Sequence, residues 1–316
     1  MNLENKKIAI LKCPSNLNLG NEFIDNGGIY LLKDIFKDNY CIEDFEVLDT
    51  SQDNGVINNI NILDYLETFE YLFILSGSLI SDEGFLILKK ILNIKGPKKI
   101  LLGIGCYRYN KKEQMICKFL EKKYDYIFTR DNLTFSYFEN KKNNVFLSID
   151  LAFYLNNYVS KINNNNNNNK YAVINIGDIP DCLSQIKKEL NELKEKYKYV
   201  YIVENTSYRC TLKDFKYDEE LYNHYVFYTF WESLYRLYQN ADYVVTMRIH
   251  TSIVCLSNNI KFKYVGNDEG GKIGRNVLFN KFIKLEKNKE YYLTNKIEEI
   301  EEEKTRFKEL LKKILL

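Results

Sequence analysis

The stretch "ADYVVTMRIHTSIVCLSNNIKFKYVGN", Ala241 to Asn267, sets a strand-like run against a helix-like run and places Arg248 and His250 between them. "DYVVTM" (242–247) is rich in β-branched and apolar residues, as in a strand covered on both faces. A helix is expected over 251–258 and a further strand over "KFKYVG" (261–266). Strand, helix and strand in that order make one unit of a parallel sheet. The helix begins at or just after His250, with Thr251 or Ser252 as its N-cap, so free backbone N–H groups face whatever Arg248 and His250 face. A guanidinium, an imidazole and a helix N-terminus together suit a phosphate or a carboxylate. The spacing equally admits Arg248 salt-bridged to a neighbour and His250 satisfied in the core.

The same alternation runs outward in both directions. Upstream in the second half stand the strand candidates "YAVINIG" (171–177) and "YKYVYIVEN" (197–205), with helices near 180–196 and 219–239. The first half offers strands at 7–12, 45–49, 71–76, 98–105, 124–130 and 144–150, separated by amphipathic segments at 21–37, 82–95, 111–124 and 131–142. Between the halves lies "KINNNNNNNK", whose seven consecutive asparagines can build no core. The expected class is α/β, with two Rossmann-like domains facing a cleft. The first spans 1–160, an Asn-rich linker or loop spans 161–170, and the second spans 171–316, ending in an amphipathic helix. Ligands of such sheets bind in the crevice beyond the carboxyl ends of the strands, which is where Arg248 and His250 fall.

Composition narrows the function by exclusion. The 316 residues carry 45 Lys+Arg against 43 Asp+Glu, a net charge of +2, so the overall balance argues for neither nucleic acid nor an acidic membrane as partner. Seven cysteines stand singly, without a CxxC pair, as expected of reduced thiols in the cytoplasm. The opening "MNLENKKIAILKC" is too charged and its apolar run too short for a signal or a span, and no apolar stretch elsewhere reaches spanning length. No His/Cys/Asp cluster has metal-ligand spacing, and neither GxSxG nor a P-loop lysine occurs. His224 sits in an aromatic-rich helical stretch and reads as packing.

Several further short motifs fall at strand ends. "NLNLGNEF" carries Asn18, Gly20 and Asn21 at a turn into a helix, where Asn21 is either a helix cap or part of a ligand-facing turn. "SGS" (Ser76, Gly77, Ser78) and "GIG" ending at Gly105 are short glycine turns that let backbone approach a ligand. Arg130 and Asp131 at "TRD" line the cleft, or Asp131 caps the helix that it opens. Asp150 orients an acceptor hydroxyl or ends a strand.

Taken in order, these motifs resemble the polysaccharide pyruvyl transferase family. "ADYVVTMRIHTSIVCLSNNIKFKYVGNDEGGK" is similar to that family's R-[LI]-H after a strand, followed by a Gly-Lys after the next strand. "NLGNEFIDNGGIYLL" (18–32), "YLFILSGSLISDEG" (71–84), "LLGIGCY" (101–107), "YIFTRDNLTFSYF" (126–138) and "SIDLAFYL" (148–155) resemble its other elements in order. The resemblance implies a fold like the GT-B glycosyltransferases and transfer of a pyruvyl group from phosphoenolpyruvate to a sugar as a ketal. It implies a small-molecule donor and a saccharide acceptor, without a metal or a cofactor. Arg248, His250 and Lys272 would then hold the donor's anionic groups beside Thr251 and Ser252, with His250 and Asp131 as the catalytic candidates. The first domain would serve the acceptor and the second the donor. Two alternatives share the architecture: a sugar transferase using a nucleotide-sugar donor, and an inactive relative that binds a glycan or a partner.

The sequence also departs from the family. Many members carry an arginine just after the first strand of the second domain, yet 172–181 contains no Arg or Lys. Asn21 stands where the family has an acidic residue, and "SGS" stands where it has GGG. Arg209, Lys272 and Arg275 are the cations available to replace the missing arginine.

Overall fold

The computed structural model describes residues 6–12, 18–37, 40–46, 60–75, 77–139, 144–160, 170–176, 183–205, 218–228, 230–265, 282, 290–291 and 296–316. Ser76, the Asn run, Arg209, Lys272 and Arg275 lie outside the described residues.

Six strands form the first sheet: β1 (Lys6–Lys12), β2 (Tyr40–Glu46), β3 (Tyr71–Leu75), β4 (Lys98–Ile104), β5 (Tyr126–Thr129) and β6 (Val145–Leu147). They lie in the order β2-β1-β3-β4-β5-β6, and every pair is parallel. Helices α1 (Leu19–Phe36), α2 (Ile60–Leu66), α3 (Asp82–Ile91), α4 (Lys111–Glu121) and α5 (Asn132–Ser136) connect them. A 3-10 turn (Leu151–Tyr154) runs into the short α6 (Leu155–Tyr158) and leads to the second half.

The second sheet has the order β11-β10-β9-β7-β8. Its strands are β7 (Tyr171–Ile176), β8 (Tyr199–Glu204), β9 (Tyr243–Thr246), β10 (Phe262–Tyr264) and β11 (Glu290–Tyr291), of which only β11 runs antiparallel to its neighbour. Its helices are α7 (Leu183–Lys194), α8 (Glu219–His224), α9 (Trp231–Gln239), α10 (Ile249–Ser257) and α11 (Ile297–Leu315). The wholly buried strand β3 and the five buried residues that end β7 carry the apolar runs expected of parallel strands covered on both faces.

Elements α2, α6, β11 and the 3-10 turn were not expected from the sequence, the helix expected at 131–142 spans only Asn132–Ser136, and three further differences have identifiable causes. The strand expected at 45–49 lies earlier, at 40–46, and residues 47–49 are outside the described set. Its charged residues hid it: β2 is an edge strand, which tolerates Glu43 and Asp44, and Asp44 pairs with Lys12 at 2.7 Å. The single helix expected over 219–239 is two helices. Between them the chain extends along the edge strand β8, with Val226 N–H donating to Ile202 O at 2.8 Å. The third difference, the start of α10, belongs to the site.

One apolar core joins the halves. It holds Phe23 of α1, Phe153 and Tyr154 of the 3-10 turn, Tyr235 and Tyr238 of α9, and Phe307 of α11. Close approach needs small residues. A Cβ on Gly27 would lie 2.1 Å from Leu151 O, so α1 reaches the 3-10 turn only because that side chain is missing. Helix α11 buries Ile300, Phe307, Leu311 and Leu315 at helical spacing and returns to the first half. There Phe307 meets Phe128 at 5.7 Å, and Tyr71 OH donates to Leu315 O at 3.0 Å. The Lys304 ammonium is buried against Asn156 Oδ1 (2.8 Å), Asn157 Oδ1 (2.6 Å) and Glu301 Oε1 (2.7 Å).

Candidate active site

After β9 the chain turns at Arg248 into the helix whose second residue is His250. Helix α10 begins at Ile249, with Arg248 at the N-cap position and no side-chain cap. Thr251 and Ser252 are therefore not the caps expected from the sequence; both are buried inside the first turn. The reason is the partner beneath them. Thr251 Oγ1 donates to Asn175 Oδ1 at 3.0 Å, and Ser252 Oγ donates to Arg248 O at 3.2 Å. The Thr251 hydroxyl is thus turned into the protein and the Ser252 hydroxyl back onto the helix's own N-terminal backbone.

Under this turn lies a polar network within the core. Asn175 Oδ1 accepts from Thr246 Oγ1 (2.8 Å) and Thr251 Oγ1, while Asn175 Nδ2 donates to Asn205 Oδ1 at 3.0 Å. Tyr238 OH donates to the same Asn205 oxygen at 2.6 Å, and Asn205 Nδ2 donates to Thr251 Oγ1 at 2.9 Å. Thr246 Oγ1 also accepts from Arg248 N–H at 2.9 Å, which fixes the turn itself. All five side chains are buried, and a network satisfied in this way holds its members in one geometry. Asn175, Asn205, Thr246 and Tyr238 were not singled out from the sequence. Their signal was available: Asn175 interrupts the otherwise apolar "YAVINI", and Asn205 directly follows "YVYIVE".

Asn205 also joins the halves, since Leu19 N–H donates to its carbonyl at 2.9 Å. Asn18, not Asn21, caps α1, accepting from Gly20 N–H at 2.9 Å. Asn18 is the residue one position before the first helical one, so its side chain has the reach that Asn21, already inside the turn, lacks. Gly20 is where the halves touch across the site: a Cβ there would lie 2.8 Å from His250 Nδ1. Asn18, Gly20 and His250 thus converge.

Gly77, Ser78, Gly105, Arg130, Asp131 and Asp150 form a second cluster at the carboxyl ends of β3, β4, β5 and β6. Arg130 is buried and pairs with Asp150 at 3.0 Å. Its Nη2 donates to Ser78 Oγ at 2.7 Å. Its guanidinium lies over two glycines, because a Cβ on Gly77 would meet Arg130 Nη1 at 2.5 Å and one on Gly105 would meet Arg130 Nε at 2.6 Å. Asp150 also caps the 3-10 turn through Ala152 N–H at 3.0 Å. Asp131 caps α5: it accepts from Thr134 N–H at 2.6 Å, Thr134 Oγ1 at 2.8 Å and Tyr109 OH at 3.2 Å. Burial raises the Asp131 carboxyl above the ordinary carboxylate range, and burial followed by the neighbouring Asp131 charge raises the Tyr109 phenol. His224 accepts no role here; its Nδ1 meets Val200 O at 2.9 Å. Among the described residues, no group of three or more His, Cys, Asp or Glu is placed to hold a metal ion.

Two Rossmann-like sheets, parallel except for β11, form the GT-B-like fold that the sequence led one to expect. The sequence model of the polysaccharide pyruvyl transferase family matches residues 18–269, and the chain belongs to that family. Among curated proteins, a sequence search finds no significant match. Solved structures agree with the fold at low identity. A Listeria monocytogenes protein assigned as a UDP-N-acetylglucosamine 2-epimerase is similar at a TM-score of 0.61 and 10% identity, covering 97% of this chain and 90% of that one. The UDP-GlcNAc 2-epimerase of Neisseria meningitidis, bound to UDP-GlcNAc, is similar at a TM-score of 0.56 and 12% identity, with 98% and 93% covered. The Rickettsia bellii UDP-N-acetylglucosamine 2-epimerase has a TM-score of 0.55 at 13% identity, with 98% of each chain covered.

Proposed function

We propose that the protein transfers a pyruvyl group from phosphoenolpyruvate to a saccharide as a ketal. The observation that carries this reading is the Arg248-x-His250 turn, uncapped at the start of α10 and facing Gly20 of the other half, in a chain of this family. Phosphoenolpyruvate presents a phosphate and a carboxylate on one carbon. Arg248 supplies a fixed charge for these groups, and the α10 N-terminus supplies N–H donors. His250 is the acid that delivers a proton to the methylene carbon. The charge at C2 is then met by one sugar hydroxyl, and the second hydroxyl takes its place as phosphate leaves. Each hydroxyl proton passes to solvent or to a base.

In this reading the Asn175–Asn205 network keeps the turn in register, and the cluster around Arg130 shapes the acceptor side. The bound UDP-GlcNAc of the Neisseria meningitidis enzyme motivates a second reading, a nucleotide-sugar donor in the same cleft. A thermal-shift titration separates the two. Phosphoenolpyruvate at a hundredfold its dissociation constant is expected to add about 2.7 kcal/mol of stability to the wild type. Neither Arg248→Ala nor His250→Ala should show that gain. Stabilisation by UDP-GlcNAc alone, or an equal phosphoenolpyruvate response in both variants, refutes the pyruvyl reading.

A further inference from the structure

The net charge of +2 conceals a strong local asymmetry. Residues 82–123 hold eleven Lys and Arg against four Asp and Glu. Two of those four acids are turned inward. Glu113 is buried and accepts from the backbone N–H groups of Tyr107, Arg108 and Tyr109, and Glu121 is also buried. On the outer face of α3 and α4 the lysines therefore outnumber the exposed carboxylates, Asp82 and Glu83.

The same face exposes large apolar side chains. Leu86 of α3 is 58% exposed and Met115 of α4 is 69% exposed. The helices lie side by side, fixed by Lys112 on Asp82 at 2.7 Å and by Phe85 against Phe119 with ring centroids 5.2 Å apart. Leu86 stands one turn beyond Asp82 on α3, and Met115 one turn beyond Lys112 on α4, so each exposed side chain follows its member of the bridged pair. Half-buried Phe85, Ile87 and Phe119 pack inward against the core beneath this face. Around Leu86 and Met115 stand Lys89 and Lys90 on α3, and Lys111, Lys112, Lys118 and Lys122 at the stripe of Met115. The facing carboxylates are Asp82, Glu83 and Glu139, of which Asp82 and Glu139 are paired with Lys112 and Lys118.

We propose that the α3–α4 face docks on the surface of an anionic lipid bilayer. Leu86 and Met115 enter the boundary between headgroups and acyl chains, and the surrounding lysines meet lipid phosphates. A nucleic acid would use the lysines and leave an aliphatic crest without a purpose, whereas a bilayer surface takes both. Among the described residues no helix is long and apolar enough to cross a membrane, so the contact is peripheral. Helices α3 and α4 follow the strand-end turns that hold Gly77, Ser78 and Gly105.

Vesicle co-sedimentation of the full chain tests this, with phosphatidylcholine alone and with phosphatidylcholine mixed with phosphatidylglycerol. The wild type is expected to sediment with the anionic vesicles only. Lys89→Glu/Lys111→Glu/Lys122→Glu should weaken binding about a hundredfold. Leu86→Glu/Met115→Glu should weaken it about tenfold or more. All five positions are on the outer face, and unchanged circular dichroism and thermal midpoints confirm that both variants fold. The proposal is overturned if the wild type ignores anionic vesicles. It is equally overturned if the apolar variant binds as the wild type does, or if a short DNA duplex binds while vesicles do not, because either outcome marks a generic polyanion surface.

Discussion

Arg130 and Arg248 both stand at the ends of strands, but they are held in opposite ways. Arg130 is buried on an ion pair with Asp150, whereas Arg248 is half-buried at the mouth of a helix. Deleting the charge of Arg130 leaves the Asp150 carboxylate buried without its counter-ion. Arg130→Met is therefore expected to cost about 3–5 kcal/mol in a urea titration. The double variant Arg130→Met/Asp150→Leu should recover much of that loss, because no lone charge remains. Gly20→Ala should act locally: its methyl displaces His250 by steric contact. The expected result is weaker stabilisation by phosphoenolpyruvate with a nearly unchanged thermal midpoint. At this scale the sequence was informative. Asn18, Gly20, Arg130, Asp150, Arg248 and His250 could all be named from strand-end motifs. Their grouping into two clusters could not be named, since it depends on how the halves meet.

Elements were legible where their periodicity was undisturbed, and they were missed where another element competed for the backbone. The run 219–239 reads as one helix, but the edge of β8 draws Tyr225 and Val226 into extended pairing and divides it. At α10 the hydroxyls of Thr251 and Ser252 look like caps, yet buried Asn175 claims the first and the Arg248 carbonyl, one turn back, claims the second. The network members Asn175 and Asn205 lie 30 residues apart, and only the parallel pairing of β7 with β8 makes them neighbours. The glycine pair in α1 is the clearest element-scale constraint. Gly27→Ala sets a methyl against a backbone carbonyl that cannot rotate away. It should destabilise the protein by about 1–3 kcal/mol or more, read as a lower urea midpoint at unchanged slope.

For the whole molecule, tyrosine burial sets the limit at high pH. Tyr124, Tyr154, Tyr235, Tyr238 and Tyr243 are all buried, and burial raises every one of their phenols above the ordinary value. In the unfolded chain they ionise near pH 10; in the folded chain they stay protonated above it. Their contribution is thus complete below about pH 10 and is lost above it, by about 1.4 kcal/mol per pH unit for each tyrosine. Urea midpoints should fall steeply from pH 10 upward, with tyrosinate absorbance rising together with unfolding; gradual ionisation of a still-folded protein would contradict this account. The return of α11 to the first half has a consequence in time. Tyr71 OH finds its acceptor on Leu315, 244 residues later in the chain. At about 5–20 residues per second on a ribosome, Tyr71 waits on the order of 12–50 s for that acceptor to be made. Phe128 likewise gains the cover of Phe307 only when α11 has been made.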